Sequence, residues 1–316
     1  MRVRGVRANG SIGIAGYCDR LATALGPHGV AYEPATAPRR GVWSHFHLGN
    51  SSRRALLHFP THRGPCVVTV HDVVPRDRRL MALYRHVAYP LLVRRATVLV
   101  AHSAAAADML VRLAGARPER ILVIPHPVPH MAVTRRADAR AALGWPEHDR
   151  LALLPGVLKP AKLIDLALAA TAQTGWRLAL CGQVRDAGLV RAARAAGALV
   201  LVGPDRSTYE QAFAAADAVL VLREGTVGET NGPLLEALSA GRAVLASRTG
   251  SIPEVAGGGA LLCEPTSEGI RRGLADLADL SERAERERLA AERARLFDQG
   301  TAAAAHAELF VEVFGG

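Results

Sequence analysis

Lysine is nearly missing from this chain. Of its 39 basic residues 37 are Arg, and the two lysines, Lys159 and Lys162, share one short loop. Aromatic residues are scarce too, at 4% of 316 residues, so the cores have to be built from Ala, Leu and Val. No stretch of 18 or more apolar residues occurs, which excludes an ordinary membrane-spanning helix. Met1-Arg2-Val3-Arg4-Gly5 lacks the apolar stretch of a secretion signal. The four cysteines, Cys18, Cys66, Cys181 and Cys263, stand far apart with no Cys-x-x-Cys spacing. They read as small buried hydrophobes in a reducing compartment, and the expected location is the cytoplasm. Net charge is +10 and the pI about 10.3, yet the arginines are spread along the whole chain. No run of five basic residues and no basic motif interleaved with aromatics appears, so nucleic acid is not the expected partner. The charge leaves a modest attraction for anionic substrates.

What is present is alternation. Short apolar runs at 2–6, 42–47, 67–71, 97–102 and 121–124 read as strands, with helical patterns at 14–25, 78–94 and 104–114 among them. A second series has strands at 151–154, 177–181, 199–202, 218–222, 243–247 and 260–263. Its helices are at 163–174, 187–196, 209–215, 232–240 and 267–280, followed by helical segments at 284–296 and 302–314. Such a rhythm means βαβ units and parallel sheets. Pro125-His126-Pro127-Val128-Pro129 cannot continue a ladder or a helix, so it marks the connection between a domain at 1–130 and one at 131–300. Doubly wound sheets place ligands at the carboxyl ends of their strands, which makes the loops there the candidates for function.

The lysine loop runs Gly156-Val157-Leu158-Lys159-Pro160-Ala161-Lys162 between an apolar strand and a helix start. A strand, a Gly turn, an ammonium and a helix N-terminus together suit a phosphate. The densest loop is 222–238: three glycines and several hydrogen-bonding side chains precede a helix with Pro233 near its first turn. Backbone N–H groups near Asn231 and Gly232 can hold sugar hydroxyls or phosphate, and Glu236, flanked by Leu234, Leu235 and Leu238, can accept from both hydroxyls of a ribose. In the first half, Asn9-Gly10-Ser11-Ile12-Gly13 opens a helix. It lacks the third Gly of a dinucleotide fingerprint, and no acidic residue ends a second strand, which argues against NAD. His45-Phe46-His47 puts two rings on one strand face, with Gly49-Asn50 following. No third metal ligand is evident, so these residues are expected to line a polar cleft, with a structural role left open for one of the two, and no metal is expected. His71, at a strand's carboxyl end, can donate to a sugar hydroxyl with Asp72 orienting it, and Ser103 after His102 suits a helix cap.

These stretches resemble the family 4 glycosyltransferases over nearly the whole length. The residues that carry the resemblance are Gly156 with Lys162, Val202-Gly203-Pro204, 209–219, 228–244 and 247–255, with Gly10–Gly13, Val68–Asp72, 98–103 and 121–128 in the first half. The resemblance implies the GT-B fold: two doubly wound Rossmann-like domains facing across a cleft, the first binding acceptor and the second the nucleotide-sugar, with the last helix (about 301–316) returning to the first. It implies that Gly13 approaches the donor phosphate, that His71 contacts the transferred sugar, and that Lys162 neutralises the diphosphate. Glu236 would hold the ribose, and Gly203, Thr230, Asn231 and Gly232 would complete the donor loop. The family's usual first Glu falls on Gly228, so Glu229 is expected to substitute. The Arg that often follows the Gly of the lysine loop is Val157, so Lys159 would supply the second charge. Ser11, His45, His47, Asn50 and Asp72 fall to the acceptor.

The implied activity is retaining transfer of a hexose-type sugar from a nucleotide-diphosphate donor, with UDP the expected nucleotide. The acceptor is a hydroxyl of a small molecule or glycan, in natural-product or cell-envelope biosynthesis. No cofactor and no metal is implied, and no Asp-x-Asp motif contradicts that. The alternatives are a nucleotide-sugar epimerase of the same fold and a noncatalytic nucleotide or nucleic-acid binder. Membrane contact would be peripheral at most, through Arg76–Arg95.

Overall fold

The computed structural model describes residues 1–8, 12–50, 58, 62–128, 130–132 and 134–315. It holds two compact units. The amino-terminal unit comprises Met1–Pro127, Val227–Thr230 and Leu296–Gly316, and the carboxy-terminal unit Val128–Thr226 and Asn231–Arg295. The break falls inside the Pro-rich connection, three residues earlier than the sequence pattern placed it. The sequence reading gave 227–230 to the second domain. Those residues join the first because the backbone amides of Val73 and Val74 both donate to the Val227 carbonyl, at 2.7 and 3.0 Å.

The amino-terminal unit is a six-stranded parallel sheet of β1 (Arg2–Val6), β2 (Ala31–Ala35), β3 (Trp43–Leu48), β4 (Cys66–Val70), β5 (Val98–Ala101) and β6 (Ile121–Val123), in the order β2-β1-β3-β4-β5-β6. Strand β2 escapes the apolar pattern because Glu33 and Pro34 interrupt it. Proline is tolerated there because β2 is an edge. Helix α1 (Ile12–Leu25) covers one face, and Tyr17, Cys18, Leu21 and Leu25 pack there against Val3, Val67 and Val100. The other face buries Val6, Phe46, Val68, Val70 and Leu99. The expected single helix at 78–94 is a composite: 3₁₀ at Arg78–Leu80, α2 (Met81–Leu83), a π turn at Tyr84–Ala88, then α3 (Tyr89–Arg95). Pro90 offers no N–H to the preceding turn, and next to it the Tyr89 N–H reaches back five residues to the Tyr84 carbonyl. Helix α4 (Ala104–Ala114) follows β5, with Ser103 Oγ capping it by accepting from Ala106 N at 3.1 Å.

The carboxy-terminal unit has β7 (Arg150–Pro155), β8 (Trp176–Gly182), β9 (Leu199–Val202), β10 (Ala218–Val221), β11 (Ala243–Ser247) and β12 (Leu261–Cys263), again all parallel, ordered β12-β11-β10-β7-β8-β9. Its helices are α5 (Arg136–Leu143), α6 (Ile164–Thr171), α7 (Ala187–Ala195), α8 (Arg206–Ala215), α9 (Gly232–Ser239), α10 (Ile252–Ala256), α11 (Ser267–Asp276) and α12 (Leu280–Ala294). The charged helix α5 is not apparent in the hydrophobic pattern. It is anchored by a buried ion pair, Arg140 Nη2 to Asp217 Oδ2 at 2.6 Å. The strand order reverses between β7 and β10, and in such sheets ligands bind at the carboxyl ends beside that reversal.

Helix α13 (Gln299–Phe314) belongs to the amino-terminal unit. Phe310 stacks on Tyr32 and Phe314 on Trp43, with ring centroids 6.2 and 5.0 Å apart. All four cysteines are buried and free. Among the described residues no helix is long and apolar enough to cross a membrane.

Candidate active site

The two loops beside the β7/β10 reversal are the lysine loop and the Gly-rich loop. After β7 the chain turns at Gly156, whose φ of +95° favours glycine. The loop then runs beside the end of β8: Leu158 N donates to the Gln183 carbonyl and Arg185 N to the Leu158 carbonyl. Approach here is tight, since a Cβ at Gly182 would overlap the Gly156 carbonyl. Lys159 starts a 3₁₀ turn, Pro160–Lys162, and Leu163 reverses the backbone with φ of 54°, the one positive value at a non-glycine among the described residues. Strain of this kind costs about 1–3 kcal/mol and persists where surroundings over-determine it. Here it accompanies the inward turn of Lys162.

Lys162 is 3% exposed, and Nζ donates to the Pro155 carbonyl at 2.8 Å. Its Nζ lies 3.3 Å from where a Cβ on Gly156 would stand, and Pro233 Cγ lies 3.1 Å from the same point. Burial pushes its pKa down to about 7, and the positive charges of Arg223 and Lys159 push the same way, while Glu236 opposes them. The charges of Arg223 and Lys159 therefore reach Lys162 beside the sheet's reversal.

Glu236, on the second turn of α9, is within electrostatic reach of Lys162. Its Oε2 accepts from Tyr209 Oη at 2.9 Å, and Oε1 faces Arg206 at 3.4 Å. Asn231 caps α9 through Oδ1 and Leu234 N, and Gly232 is the first helical residue, ahead of Pro233. Gly203 ends β9, two strands from β7, with a φ of +59°.

Glu229 Oε2 folds back onto Val227 N at 2.7 Å, and Thr230 ends that four-residue segment of the amino-terminal unit. Gly228 explains why no Glu stands at the family's usual position. Its φ is +80°, and a Cβ would lie 2.6 Å from Val73 Cγ2. Gly228→Ala is expected to cost roughly 2–4 kcal/mol through backbone strain and overlap. A fall in the urea midpoint of the amino-terminal unit measures it; an unchanged midpoint would show that the close packing on Val73 carries no energy.

In the amino-terminal unit the expectations for His45 and His47 need correction. Both are fully buried rather than lining a cleft. Tyr32 Oη lies 3.0 Å from His45 Nδ1 and 2.6 Å from His47 Nε2, His45 Nε2 is 2.7 Å from Thr69 Oγ1, and His47 Nδ1 is 3.2 Å from His71 Nε2. A sheet sandwiched between helices buries alternate residues on both faces, so the shared face of β3 looks into the core. Asp72 does not orient His71 either. Its carboxylate accepts from Asn50 N at 2.6 Å and faces Arg76 at 3.3 Å. Asn50 ties the same loops together by donating to Val74 O and accepting from Arg76 N. Gly13 is in the first turn of α1, with nothing within 4 Å of where its Cβ would be, and Ser11 lies outside the described residues.

His71 is 9% exposed and belongs to a larger group. His47 is the next-to-last residue of β3, His71 follows β4, His102 follows β5 and His126 follows β6, and those four strands are neighbours. Tyr17 of α1 sits against all four rings at centroid distances of 4.9 to 5.4 Å, and its Oη is 3.1 Å from His306 Nε2 of α13. Burial, reinforced by the neighbouring imidazoles, holds His45, His47 and His71 well below the usual range, and burial brings His102 and His306 down to about 4. These rings are neutral at pH 7. The sequence reading passed over His126 and His306. The readable signal for His126 was a histidine at the carboxyl end of each of four successive strands; none existed for His306.

Residues 42–130 match the family described as Glycosyltransferase Family 4, and residues 135–295, half of the chain, match Glycosyl transferases group 1. A D-inositol 3-phosphate glycosyltransferase of Mycobacterium tuberculosis is 34% identical over 184 residues, covering 54% of this chain and 38% of that protein. The protein of the same name from Mycobacterium bovis gives the same figures. The match thus spans well under two thirds of these relatives' length. Among solved structures, HepE of Anabaena in complex with UDP and glucose superposes with a TM-score of 0.80 at 20% identity, over 99% of this chain and 100% of that one. Sucrose-phosphate synthase of Thermosynechococcus elongatus gives 0.83 at 17% identity, over 100% and 99%. With both halves matched and the architecture shared end to end, the chain belongs to the group 1 glycosyltransferases of family 4 and is a glycosyltransferase of the GT-B fold.

Proposed function

We propose that this glycosyltransferase moves a hexose from a UDP-sugar to an acceptor hydroxyl with retention at the anomeric carbon. The observation that carries the donor assignment is the buried Lys162 amine, held on the Pro155 carbonyl at the carboxyl end of β7, with Lys159 and Arg223 close enough to act on its charge. A diphosphate there meets a positive field without a divalent ion, and neither metal nor cofactor is part of this reading. In the transfer the bond from the anomeric carbon to the diphosphate oxygen breaks. The acceptor oxygen bonds to that carbon, and its hydroxyl proton passes to the departing diphosphate oxygen. Charge develops on the departing diphosphate, and a fixed ammonium 3 Å or so away stabilises it most in the transition state. Glu236, already polarised by Tyr209 and Arg206, is placed to accept from the ribose hydroxyls. Neutral His71 would donate to a sugar hydroxyl. The relatives' name makes a phosphorylated cyclitol one acceptor class to try, with small-molecule and glycan hydroxyls beside it.

The test is calorimetric. Free Lys162 titrates near 7, whereas a bound diphosphate favours its charged form. UDP binding should therefore take up close to one proton at pH 8.5, and affinity should fall about tenfold per pH unit above 7. Titrations in buffers of different ionisation enthalpy read the uptake. Absence of UDP binding, or equal uptake by Lys162→Met, would overturn the donor site.

A further inference from the structure

The histidine row contains a feature beyond the sugar contact given to His71. One ring nitrogen from each of His71, His102 and His126 lies within 4.8 Å of the others. Two of these rings hold buried nitrogens without a protein partner: His102 Nε2 and His126 Nδ1. His102 is 4% exposed, and its Nδ1 is 2.9 Å from the Ile124 carbonyl. That bond requires the proton on Nδ1, so Nε2 presents a lone pair. A carbonyl or carboxylate behind the ring is the usual support of a metal-bound imidazole. His71 is braced in the same manner by His47, which Tyr32 holds in turn. Tyr17 lies against all three rings and limits their rotation.

Neutral imidazole is the form that binds metal. Bonds of about 2.0–2.1 Å in tetrahedral geometry require nitrogens roughly 3.3 Å apart, so the rings have to turn toward one another against Tyr17 to close the site. An all-imidazole set selects zinc, copper or nickel over magnesium and calcium. The one opposing charge acting on His126 is Arg20. An anionic fourth ligand, such as hydroxide, would offset it.

We propose that His71, His102 and His126 form a binding site for a single Zn²⁺-class transition-metal ion in the amino-terminal unit. This does not depend on the donor assignment in the carboxy-terminal unit, although a metal-bound His71 has no N–H left for the sugar, and its test requires no sugar transfer.

The experiment titrates the full chain, stripped with chelator, with Co²⁺ followed by Zn²⁺. The expected result is one equivalent of cobalt with the intense visible bands of four- or five-coordinate nitrogen ligation, displaced stoichiometrically by zinc. His126→Gln removes a ligand from a half-buried position, so the fold should survive, which circular dichroism verifies. Its affinity should drop at least about 100-fold, while the surface variant His28→Gln leaves binding unchanged. Sub-stoichiometric uptake, a weak octahedral spectrum, or equal affinity in folded His126→Gln would each overturn the site.

Discussion

Lys162→Met should lower turnover by about 10²–10³-fold, the usual cost of deleting one preorganised donor to a developing oxyanion. Methionine retains the unbranched stem beneath Gly156 and Pro233 and removes only the ammonium. Stability should change little, because two effects oppose. The Pro155 carbonyl loses its donor, which costs about 1–3 kcal/mol. A buried group whose charged form is disfavoured enough to titrate near 7 is removed, which returns at least as much. Lys159→Met should have a smaller effect, since that residue is only partly buried and acts from the turn before. Steady-state rates with UDP-glucose and a melting curve on the same samples separate catalysis from folding. Turnover within tenfold of the parent in a fully folded Lys162→Met would take that amine off the diphosphate.

The second large effect is acid lability of the amino-terminal unit between pH 6.5 and 4. His45 and His306 are fully buried and neutral, His306 titrating only near 4 and His45 held lower than its usual range by burial. In the unfolded chain both protonate near the ordinary value of about 6.5. Below that pH the unfolded chain binds protons that the folded chain refuses. Their stabilisation is therefore fully present above 6.5 and is lost as pH falls. Each histidine contributes a slope of about 1.4 kcal/mol per pH unit in this window, so the pair removes roughly 4 kcal/mol between pH 7 and 5. The window lies above the carboxylate range. Urea unfolding in chelator at pH 7, 6 and 5 measures the slope, and His306→Gln should reduce it by about 1.4 kcal/mol per unit. A flat profile over that interval would mean that water reaches these rings.

Legibility in the sequence followed burial. The strands of the carboxy-terminal unit were apparent because a parallel strand covered on both faces is a continuous apolar run, as in Leu151–Leu154 and Ala218–Val221. Edge strand β2, with Glu33 and Pro34, and the ion-paired helix α5 carry no such run. The lysine loop could be located from residue type and strand-end position alone, because topology delivers strand ends to the ligand side. Direction could not be read. Nothing local distinguishes Lys162 turned inward on the Pro155 carbonyl from an amine in solvent; the reversal at Leu163 decides that. His45 and His47 were assigned to the acceptor because strand periodicity gives a shared face but not what covers it. Their cover is Tyr32 and Phe310, the latter 265 positions after His45.

Helix α13 closes the face on which Tyr17, Leu21 and Val67 lie, with Ala303, Phe310 and Phe314 contributing to the same core. On the ribosome those residues emerge after every strand of both sheets. The first unit therefore cannot finish folding as it is made, contrary to the usual order in which an upstream domain matures before the next is translated. A nascent chain stalled before residue 299 should keep this half protease-sensitive while the half made later is already resistant.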